Sequence, residues 1–284
     1  MMHDRKMNIE SFGSRVTPVS DYMKAEVLMS VRNVSLAFDK PILRDINFEV
    51  HNIVRPGLSQ GQVISLIGRS GIGKTQLFRI LAGLQQPDSG SVAIGSDQHL
   101  VEAGEVGVVS QNYLLFNHRT IKDNLRLAMR RSETVVVEAE REQMIFQYAE
   151  AFDLTEHLAK YPMQLSGGQR QRTSIIQQIL TGNKFILLDE PFSGLDALMI
   201  DKVMALLLKI STLDELNTLV IISHDVENAL AISDTAFILG RQNKEEGATI
   251  TETLDLMKMG FAWNPEIREN AEFQKLVGQI KHKI

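Results

Sequence analysis

The sequence GRSGIGKT, Gly68 to Thr75, is the most informative part of the chain, because it has the pattern G-x-x-x-x-G-K-[ST] between a predicted strand and a predicted helix. The apolar run VISLI (63–67) precedes it as a predicted buried strand. KTQLFRILAGL (74–84) follows it as a helix predicted to end at Gly83. Glycines let backbone amides curve around phosphate oxygens, and the helix N-terminus adds the positive end of its dipole. The stretch therefore predicts a phosphate-binding loop.

Short apolar runs alternate with helical patterns along the rest of the chain, which predicts an α/β fold with a mostly parallel sheet. The runs predicted as further strands are VRNVSLAF (31–38), INFEV (46–50), SVAIG (91–95), VGVVS (106–110), FILLD (185–189) and TLVIIS (218–223). Roughly from Tyr113 to Gln164, charged residues spaced among Leu, Ile, Ala and Phe indicate helices. This stretch is predicted to form a helical lobe inserted into the sheet.

The domain organisation follows from these patterns. Residues 1–26 are polar and irregular, so a flexible tail is expected there. The other predicted parts are a core of 27–112 and 165–240, a helical lobe of 113–164 and a C-terminal extension of 241–284. The core and the lobe are predicted to form one α/β unit, with the tail and the extension at its margins.

Two segments carry further local predictions. Residues 52–60 are expected to form an enlarged loop, because they contain Pro56 and glycine. In the extension a helix is predicted with Asn264 as N-cap and Pro265 at its first position. Its apolar face would comprise Ile267, Ala271, Leu276, Val277 and Ile280. Packing on the domain surface is the ordinary interpretation of this helix, and partner binding is the alternative.

The overall composition limits the classes of function. The chain has 284 residues, of which 44% are hydrophobic and 23% charged, as in ordinary globular proteins. The net charge of −5 argues against a main role on nucleic acid, which usually requires a basic domain. Cysteine is absent, which excludes disulfide and thiolate chemistry. No apolar run approaches the ~20 residues of a membrane span, and the first 15 residues lack the apolar core of a secretory signal.

The predicted loop has the chemistry of a nucleotide site. Lys74 would place a point charge on the β- and γ-phosphates, and Thr75 would offer its hydroxyl to Mg²⁺. Nucleotide contacts are predicted for Gly68, Ser70, Gly71, Gly73, Lys74, Thr75 and Gln76. Asp189 ends a buried strand, where a carboxylate is costly unless a cation such as Mg²⁺ meets it. The adjacent Glu190 is the candidate base for the attacking water.

A second glycine-rich segment, LSGGQRQR (165–172), lies far along the chain from the first. It resembles the signature sequence of ATP-binding-cassette (ABC) ATPases, and further motifs follow in the order of that family. Gln111 in VVSQNYLLF matches the Q-loop, SGLD ending in Asp196 matches the D-loop, and ISHD places His224 as the switch histidine. Phe38 stands where the family has an aromatic ring that stacks on adenine. The resemblance extends roughly from Leu28 to Leu239.

The resemblance implies a P-loop NTPase (RecA-like) core with a parallel sheet, an antiparallel β subdomain and an inserted helical lobe. In this family two subunits pack head to tail, and the signature of one completes the ATP site of the other. ATP contacts are therefore also implied for Phe38, Ser166, Gly167, Gly168, Gln169 and Asp196. Gln111 would contact Mg²⁺ and the attacking water, and His224 would hold the γ-phosphate and position Glu190. The implied ligands of Mg²⁺ are Thr75, Gln111 and Asp189.

The partners implied by the resemblance are those of a membrane transporter. A short helical lobe is typical of transporter ATPases, and SQNYLLFNHRTIKDNL (110–125) resembles the Q-loop region of importer-type members. In those proteins the adjacent groove receives a coupling helix from a membrane subunit. The resemblance implies ATP hydrolysis by a homodimer on the cytoplasmic face of the cell membrane. Its partners would be transmembrane permease subunits and, as in importers, a solute-binding protein.

Several alternatives remain open from the sequence. NAEFQKLVGQI (270–280) is similar to the nitrate, sulfonate and taurine importer group, with lipid-transport and amino-acid-import ATPases as competitors. Because only about 60 residues follow His224 in this sequence, the regulatory domain of sugar importers is not expected among them. The rival from another class is a soluble ABC-type regulator or remodeller without a membrane partner. A nucleotide switch without hydrolysis is disfavoured, because Glu190 and His224 are both present.

Overall fold

The computed structural model describes residues 22–55, 60–130, 137–212, 215–241, 243 and 245–284. In chain order the strands of these ranges are β1 (Met23–Ala37), β2 (Pro41–Val54), β3 (Gln62–Ile67), β4 (Ser89–Ile94), β5 (His99–Leu100), β6 (Gly107–Val109), β7 (Phe185–Asp189), β8 (Thr218–Ser223), β9 (Thr235–Gly240) and β10 (Thr249–Asp255). The α-helices are α1 (Lys74–Leu81), α2 (Ile121–Met129), α3 (Glu138–Ala151), α4 (Gly167–Leu180), α5 (Ala197–Ser211), α6 (Val226–Ala231) and α7 (Ala271–Lys283).

The described strands form two sheets, which confirms the predicted fold class. An antiparallel sheet has the order β2-β1-β4-β5. The second has the order β10-β9-β3-β8-β7-β6, with parallel pairing from β9 through β6 and an antiparallel β10 at its edge. Phe48 of the antiparallel sheet packs against Phe237 of the second, with ring centroids 4.6 Å apart. One apolar core, shared with α1, therefore joins the two sheets.

The centre of the parallel sheet explains why the predicted site residues meet. All six residues of β3 and all six of β8 are buried, as expected for strands covered on both faces. In the parallel registers, Ile67 lies beside Ser223, and Asp189 lies beside Ile222. The residues that follow these strands therefore emerge at the same edge of the sheet. This edge receives the phosphate-binding loop, the two carboxylates and the histidine.

Two boundaries at the antiparallel sheet differ from those predicted. β1 begins at Met23, so the tail predicted for residues 1–26 was four residues too long. Residues 1–21 lie outside the described ranges. The loop predicted for 52–60 is also too long, because β2 continues to Val54 and pairs with Met23. Arg55 follows as a buried residue, and 56–59 lie outside the described ranges. The long β1–β2 pairing supplies the backbone hydrogen bonds that a loop would lack.

The helical lobe of 113–164 contains α2 and α3, with 3₁₀ turns at Thr155–His157 and Pro162–Gln164. Residues 113–120 are not helical, although the sequence pattern indicated helix from Tyr113 onward. The chain enters α2 at Thr120, whose hydroxyl accepts a hydrogen bond from the backbone of Asp123. Residues 131–136 lie outside the described ranges. The lobe packs on α4, through which it reaches the signature segment.

The C-terminal extension is more closely joined to the core than predicted. β10 pairs antiparallel with β9, so a boundary at residue 240 cuts across a sheet. α7 begins at Ala271 rather than after Asn264, because Asn270 caps it by accepting hydrogen bonds from the amides of Glu272 and Phe273. Ala271 is exposed, whereas Phe273 is buried in the apolar face. The helix packs on the domain surface, as the ordinary interpretation holds.

Among the described residues, no helix combines the length and the apolar character of a membrane span.

Candidate nucleotide-binding site

The phosphate-binding loop connects β3 to α1, as predicted, and two of its glycines have positive φ. Gly71 has φ 76° and Gly73 has φ 120°. Residues other than glycine rarely adopt this region of backbone conformation. A Cβ at Gly73 would lie 3.1 Å from side-chain atoms of Ile42 and Leu43. Glycine is therefore required at Gly73 both by its dihedral angles and by the close approach of β2.

Lys74 lies at the first position of α1 and points back into the loop. Its Nζ donates hydrogen bonds to the carbonyl oxygens of Gly68 and Arg69 at 2.8 and 3.2 Å. The same nitrogen lies 3.4 Å from Oε1 of Glu190. Lys74 is therefore the cation that joins the loop to the Glu190 carboxylate, which follows directly after β7.

Glu190 is the most heavily contacted side chain of the site. Its Oε2 accepts a hydrogen bond from the Ser223 hydroxyl at 3.0 Å and from the His224 backbone amide at 3.2 Å. Nδ1 of His224 lies 2.8 Å from the same oxygen. With Lys74 on Oε1, both carboxylate oxygens have partners from separate segments of the chain. The structure thus brings together three of the residues on which the sequence prediction depended.

The backbone at Glu190 is also unusual. Its φ is 51°, which is uncommon for a residue other than glycine and costs on the order of 1 kcal/mol. The amide of Glu190 donates to the carbonyl oxygen of Ile222 at 2.8 Å, so this conformation is fixed by β8. The chain turns sharply here and presents the carboxylate toward Lys74 and His224.

Asp189 differs from its neighbour in environment, although both are carboxylates. Burial raises the pKa of Asp189, the charge of Glu190 raises it further, and the Lys74 ammonium partly opposes the rise. A divalent cation would relieve this cost, and carboxylate and hydroxyl oxygens are the ligands that Mg²⁺ prefers. The exposed Thr75 at the start of α1 and the half-buried Asp189 therefore have the chemistry of a magnesium site.

Gln111 reaches the same edge of the sheet from β6. Val109 at the end of β6 lies beside Leu188 of β7, so the turn containing Gln111 follows β6 next to Asp189. Gln111 is exposed. Its position in the fold thus agrees with its predicted role near Mg²⁺, and that role stays a prediction.

The signature segment forms the start of α4 and has its own set of neighbours. Ser166 is the N-cap, and its hydroxyl accepts from the amide of Gln169 while the Gln169 side chain accepts from the amide of Ser166. Nε2 of Gln169 also lies 2.8 Å from Nε2 of His157. A Cβ at Gly168 would come within 2.9 Å of the terminal methyl of Met199, whereas Gly167 has open space around it. The segment therefore presents an exposed helix N-terminus.

Two further predicted residues lie at exposed positions. Asp196 is the N-cap of α5, where its carboxylate accepts a hydrogen bond from the Met199 amide at 2.9 Å. Phe38 lies between β1 and β2 with 62% of its surface exposed, so its ring is free to stack on a planar group. The ATP contacts of both residues stay predictions.

Sequence reasoning missed Ser223, which is fully buried and donates to Glu190. The only signal was its position in ISHD, between the end of a predicted strand and the histidine. A serine at a strand end has many ordinary structural explanations, so only the three-dimensional contact distinguishes it.

Comparison with known proteins identifies the family that this geometry indicates. The family profile described as "ABC transporter" matches residues 52–193. A sulfate/thiosulfate import ATP-binding protein of Agrobacterium fabrum is 32% identical over 83% of this chain. The chain belongs to the ABC transporter ATPase family. The RecA-like core, the antiparallel β subdomain and the helical lobe implied by the motifs are thus confirmed as parts of this ABC ATPase.

Other relatives of the ABC ATPase carry related names. A sulfate/thiosulfate import ATP-binding protein of Shewanella oneidensis is 36% identical over 76% of the chain. A spermidine/putrescine import ATP-binding protein of Protochlamydia amoebophila is 34% identical over 78%. The matches span 67%, 62% and 58% of the lengths of the Agrobacterium, Shewanella and Protochlamydia proteins. The chain therefore corresponds to roughly two thirds or less of these relatives.

Solved structures show the same fold at low sequence identity. CbiO1 of Clostridium perfringens, part of an ABC transporter complex, superposes with a TM-score of 0.69 at 19% identity over 90% of this chain and 99% of that one. A dimeric ATP-binding cassette, MJ0796, bound to ADP and phosphate, superposes with a TM-score of 0.64 at 23% identity over 81% and 99%. These similarities establish the architecture of the ABC ATPase.

Proposed function

We propose that this chain is the ATP-hydrolysing subunit of an ABC importer, in which two copies dimerise around ATP and drive separate membrane subunits. The observation that carries the proposal is the Glu190 carboxylate, contacted by Lys74 of the phosphate-binding loop and by His224. A candidate base, a phosphate-binding cation and the switch histidine are thus assembled in one place. That assembly is suited to hydrolysis rather than to nucleotide binding alone.

The chemistry of the site follows from these contacts. Lys74 now donates to loop carbonyls and would instead donate to the β- and γ-phosphates of ATP. Glu190 would accept a proton from the attacking water, and His224 would hold the γ-phosphate with its exposed ring. Mg²⁺, for which Thr75 and Asp189 have suitable oxygens, neutralises charge on the phosphates when bound.

Completion of the site by a second copy is supported by the start of α4. At this helix start Ser166 and Gly167 are exposed, a Cβ at Gly167 would meet no atom within 4 Å, and the helix dipole favours an anion at this end. The amide of Gln169 is taken by the Ser166 hydroxyl, which fixes the turn. The γ-phosphate held by the loop of the partner subunit is the anion proposed to bind here.

A membrane partner is supported by apolar side chains exposed near the Q-loop and on the lobe. Leu114 and Met163 are 74% and 80% exposed, and Phe116 is 46% exposed. Exposed apolar groups of this size suit a protein–protein contact. The proposed occupant is a coupling helix of a permease subunit, which would place the chain peripherally on the cytoplasmic face of the cell membrane.

The cargo is left to other subunits in this proposal. The relatives are named for import of sulfate and thiosulfate, which are anions, and of spermidine and putrescine, which are cations. Proteins of about equal identity to this chain are therefore named for cargoes of opposite charge. All three relatives are named as import proteins, which favours transport over a soluble regulator. Membership of the nitrate, sulfonate and taurine group stays a prediction.

The Glu190→Gln variant tests the proposed function directly. Loss of a general base lowers turnover by about 10²-fold or more. The variant should still bind ATP, because the amide keeps the shape of the side chain, and should accumulate as an ATP-bound dimer. Size-exclusion chromatography with ATP, compared with ADP and with the wild type, measures the dimer. Unchanged turnover, or a variant that stays monomeric with ATP, would contradict the proposal.

The transporter part of the proposal has a separate test. Tagged wild-type protein is recovered from detergent-solubilised membranes of its own source, and co-purifying proteins are identified by mass spectrometry. A multi-spanning membrane protein in stoichiometric amount is expected. Recovery of soluble partners alone, with ATPase activity intact, would favour the soluble regulator instead.

A further inference from the structure

Ser223 has contacts that connect both halves of the proposed catalytic site. It is the last residue of β8 and is fully buried. Its backbone carbonyl accepts a hydrogen bond from the amide of Gly68, the first residue of the phosphate-binding loop, at 3.3 Å. Its hydroxyl donates to Oε2 of Glu190 at 3.0 Å. One small residue therefore touches the start of the loop through its backbone and the candidate base through its side chain.

We propose that Ser223 is a positioning residue that holds the Glu190 carboxylate in place for proton abstraction throughout the reaction cycle. This inference rests on the proposed role of Glu190 as the base. Ser223 itself need not touch ATP or the water, because its hydroxyl is directed to Glu190.

The direction of the Ser223 hydroxyl is set by a second hydrogen bond. The backbone amide of Asp225 donates to the Ser223 oxygen at 3.0 Å. A hydroxyl has one proton to donate and two lone pairs that accept. Since the Asp225 amide occupies an acceptor position, the single proton of Ser223 is available to Oε2 of Glu190. The hydroxyl is thus oriented before any nucleotide binds.

The other donors to Glu190 differ from Ser223 in how free they are to move. The His224 side chain is 53% exposed, and its proposed partner in the reaction is the γ-phosphate. Lys74 likewise has the phosphates as its proposed partners. When both turn to ATP, the Ser223 hydroxyl and the His224 backbone amide would remain on Oε2. Ser223 is the side chain that can restrain the base while the phosphate contacts change.

The conformation of Glu190 makes this restraint important. Its φ of 51° places the residue in a sparsely populated region, and its amide is fixed to Ile222. The backbone therefore fixes the position of the Glu190 Cα, and the hydrogen bond from Ser223 fixes the position of its carboxylate. Without the hydroxyl, the carboxylate would sample other rotamers, and fewer of them would align with the attacking water.

Ser223→Ala removes the hydrogen bond while keeping the strand. The kcat for ATP hydrolysis should fall by about 10-fold to 100-fold, in line with loss of a hydrogen bond to a charged group. The KM for ATP should change by less than about threefold, because catalysis rather than binding is affected. Ser223→Thr keeps a hydroxyl and should recover most of the lost kcat.

Ser65→Ala is the matched control. Ser65 is another fully buried serine, on β3, and its hydroxyl donates to the carbonyl oxygen of Ala229 at 3.1 Å. It lies beside Ile221 in the register, two positions before Ser223 on β8. The control should lose stability to a similar extent in thermal unfolding but keep the wild-type kcat. If Ser65→Ala and Ser223→Ala lowered kcat equally, the loss would come from removing any buried hydroxyl near the site and not from the contact with Glu190. That result would overturn the proposal.

A double-mutant cycle with Glu190→Gln tests whether Ser223 acts through Glu190. Single-turnover hydrolysis, with protein in excess over labelled ATP, measures the slow residual rate. If Ser223 positions the base, Ser223→Ala should have less than about a threefold effect in the Glu190→Gln background. The same loss in both backgrounds would overturn the proposal while leaving Glu190 as the base. Absence of hydrolysis in the wild type would contradict the proposed function itself, and the Ser223 proposal with it.

Discussion

At the scale of single residues, the two adjacent carboxylates illustrate how environment separates similar groups. Glu190 has donors on both oxygens, from Lys74, Ser223 and His224. Asp189 is half-buried beside the charge of Glu190, and both features raise its pKa. The first arrangement suits a base held in place, and the second suits a ligand that awaits a cation.

Asp189→Asn should stabilise the protein at neutral pH in the absence of nucleotide and Mg²⁺. A carboxyl whose pKa is raised by folding stabilises the native state below its unfolded pKa, and that contribution is lost as pH rises through the folded pKa. At pH 7.5 the ionised Asp189 therefore lowers the free energy of unfolding, whereas an uncharged asparagine does not. Thermal unfolding should show a Tm about 1–3 °C higher for the variant at pH 7.5, with the gap closing near pH 4.

A second measurement on Asp189 tests its role as a metal ligand by adding MgATP. MgATP should raise the Tm of the wild type more than that of Asp189→Asn, because the variant has lost a charged ligand of the metal. A variant that is less stable at pH 7.5, or that responds to MgATP as the wild type does, would contradict this account of the residue.

At the scale of elements, helix starts carry much of the proposed function. α1 begins in the phosphate-binding loop, and α4 begins in the signature. Both N-termini offer amides and a positive dipole end to phosphate. Ser166 has a structural part in this as well, since it forms a capping box with Gln169. Stability and ATP binding at α4 can therefore be separated by the choice of substitution.

Ser166→Asp should keep the cap and abolish ATP-driven dimerisation. Aspartate is as good an N-cap as serine, but its charge would repel the γ-phosphate. Ser166→Ala should cost about 1 kcal/mol in urea unfolding, because the capping hydrogen bond is lost. Dimer formation with ATP is measured for both in the Glu190→Gln background. If Ser166→Asp dimerised at the same ATP concentration as the protein with Ser166, contact between this helix start and the γ-phosphate would be excluded.

At the scale of the whole molecule, a buried polar network joins the C-terminal extension to the core. Arg55 after β2 forms a fully buried ion pair with Asp234, and Trp263 donates to the same carboxylate oxygen at 2.6 Å. The other oxygen of Asp234 accepts from the Val63 amide at 2.8 Å. Burial raises the pKa of Asp234, and the Arg55 guanidinium opposes that rise. The segment of Arg55 and Val63 and the distant Trp263 thus share one carboxylate.

Asp234→Asn should destabilise the fold by about 3–5 kcal/mol, because it leaves the Arg55 charge buried without a counter-charge. The double variant Arg55→Met/Asp234→Leu should be less destabilised, since no charge remains buried. Trp263 is the single tryptophan of the chain, so its fluorescence during urea unfolding reports on this cluster. Lys283→Met, which breaks an ion pair exposed to solvent, is the control and should change stability little. A mild effect of Asp234→Asn would show that water reaches the Arg55 guanidinium.

The sequence located the elements that depend on local pattern. The apolar runs before Gly68 and Glu190 became β3 and β7, and Gly83, with φ 68°, follows the end of α1. It missed β10, which depends on pairing with β9, and it ended β2 too early, because the last residues of β2 depend on pairing with β1. The predicted start of α7 after Asn264 was also wrong, because Asn270 caps the helix and Phe273 lies in its buried face.

Local sequence patterns predicted which residues could cradle phosphate, bind Mg²⁺ and accept a proton, and they carried the resemblance to ABC ATPases. Those features are local, because a motif fixes residue types and backbone conformation over a few positions. Which of these groups come into contact depends on the tertiary structure. The register of β3, β7 and β8 places the Ser223 hydroxyl on Glu190, and folding alone brings Arg55, Asp234 and Trp263 together. Contacts between residues far apart in the chain depend on sheet pairing and burial, which no single segment encodes.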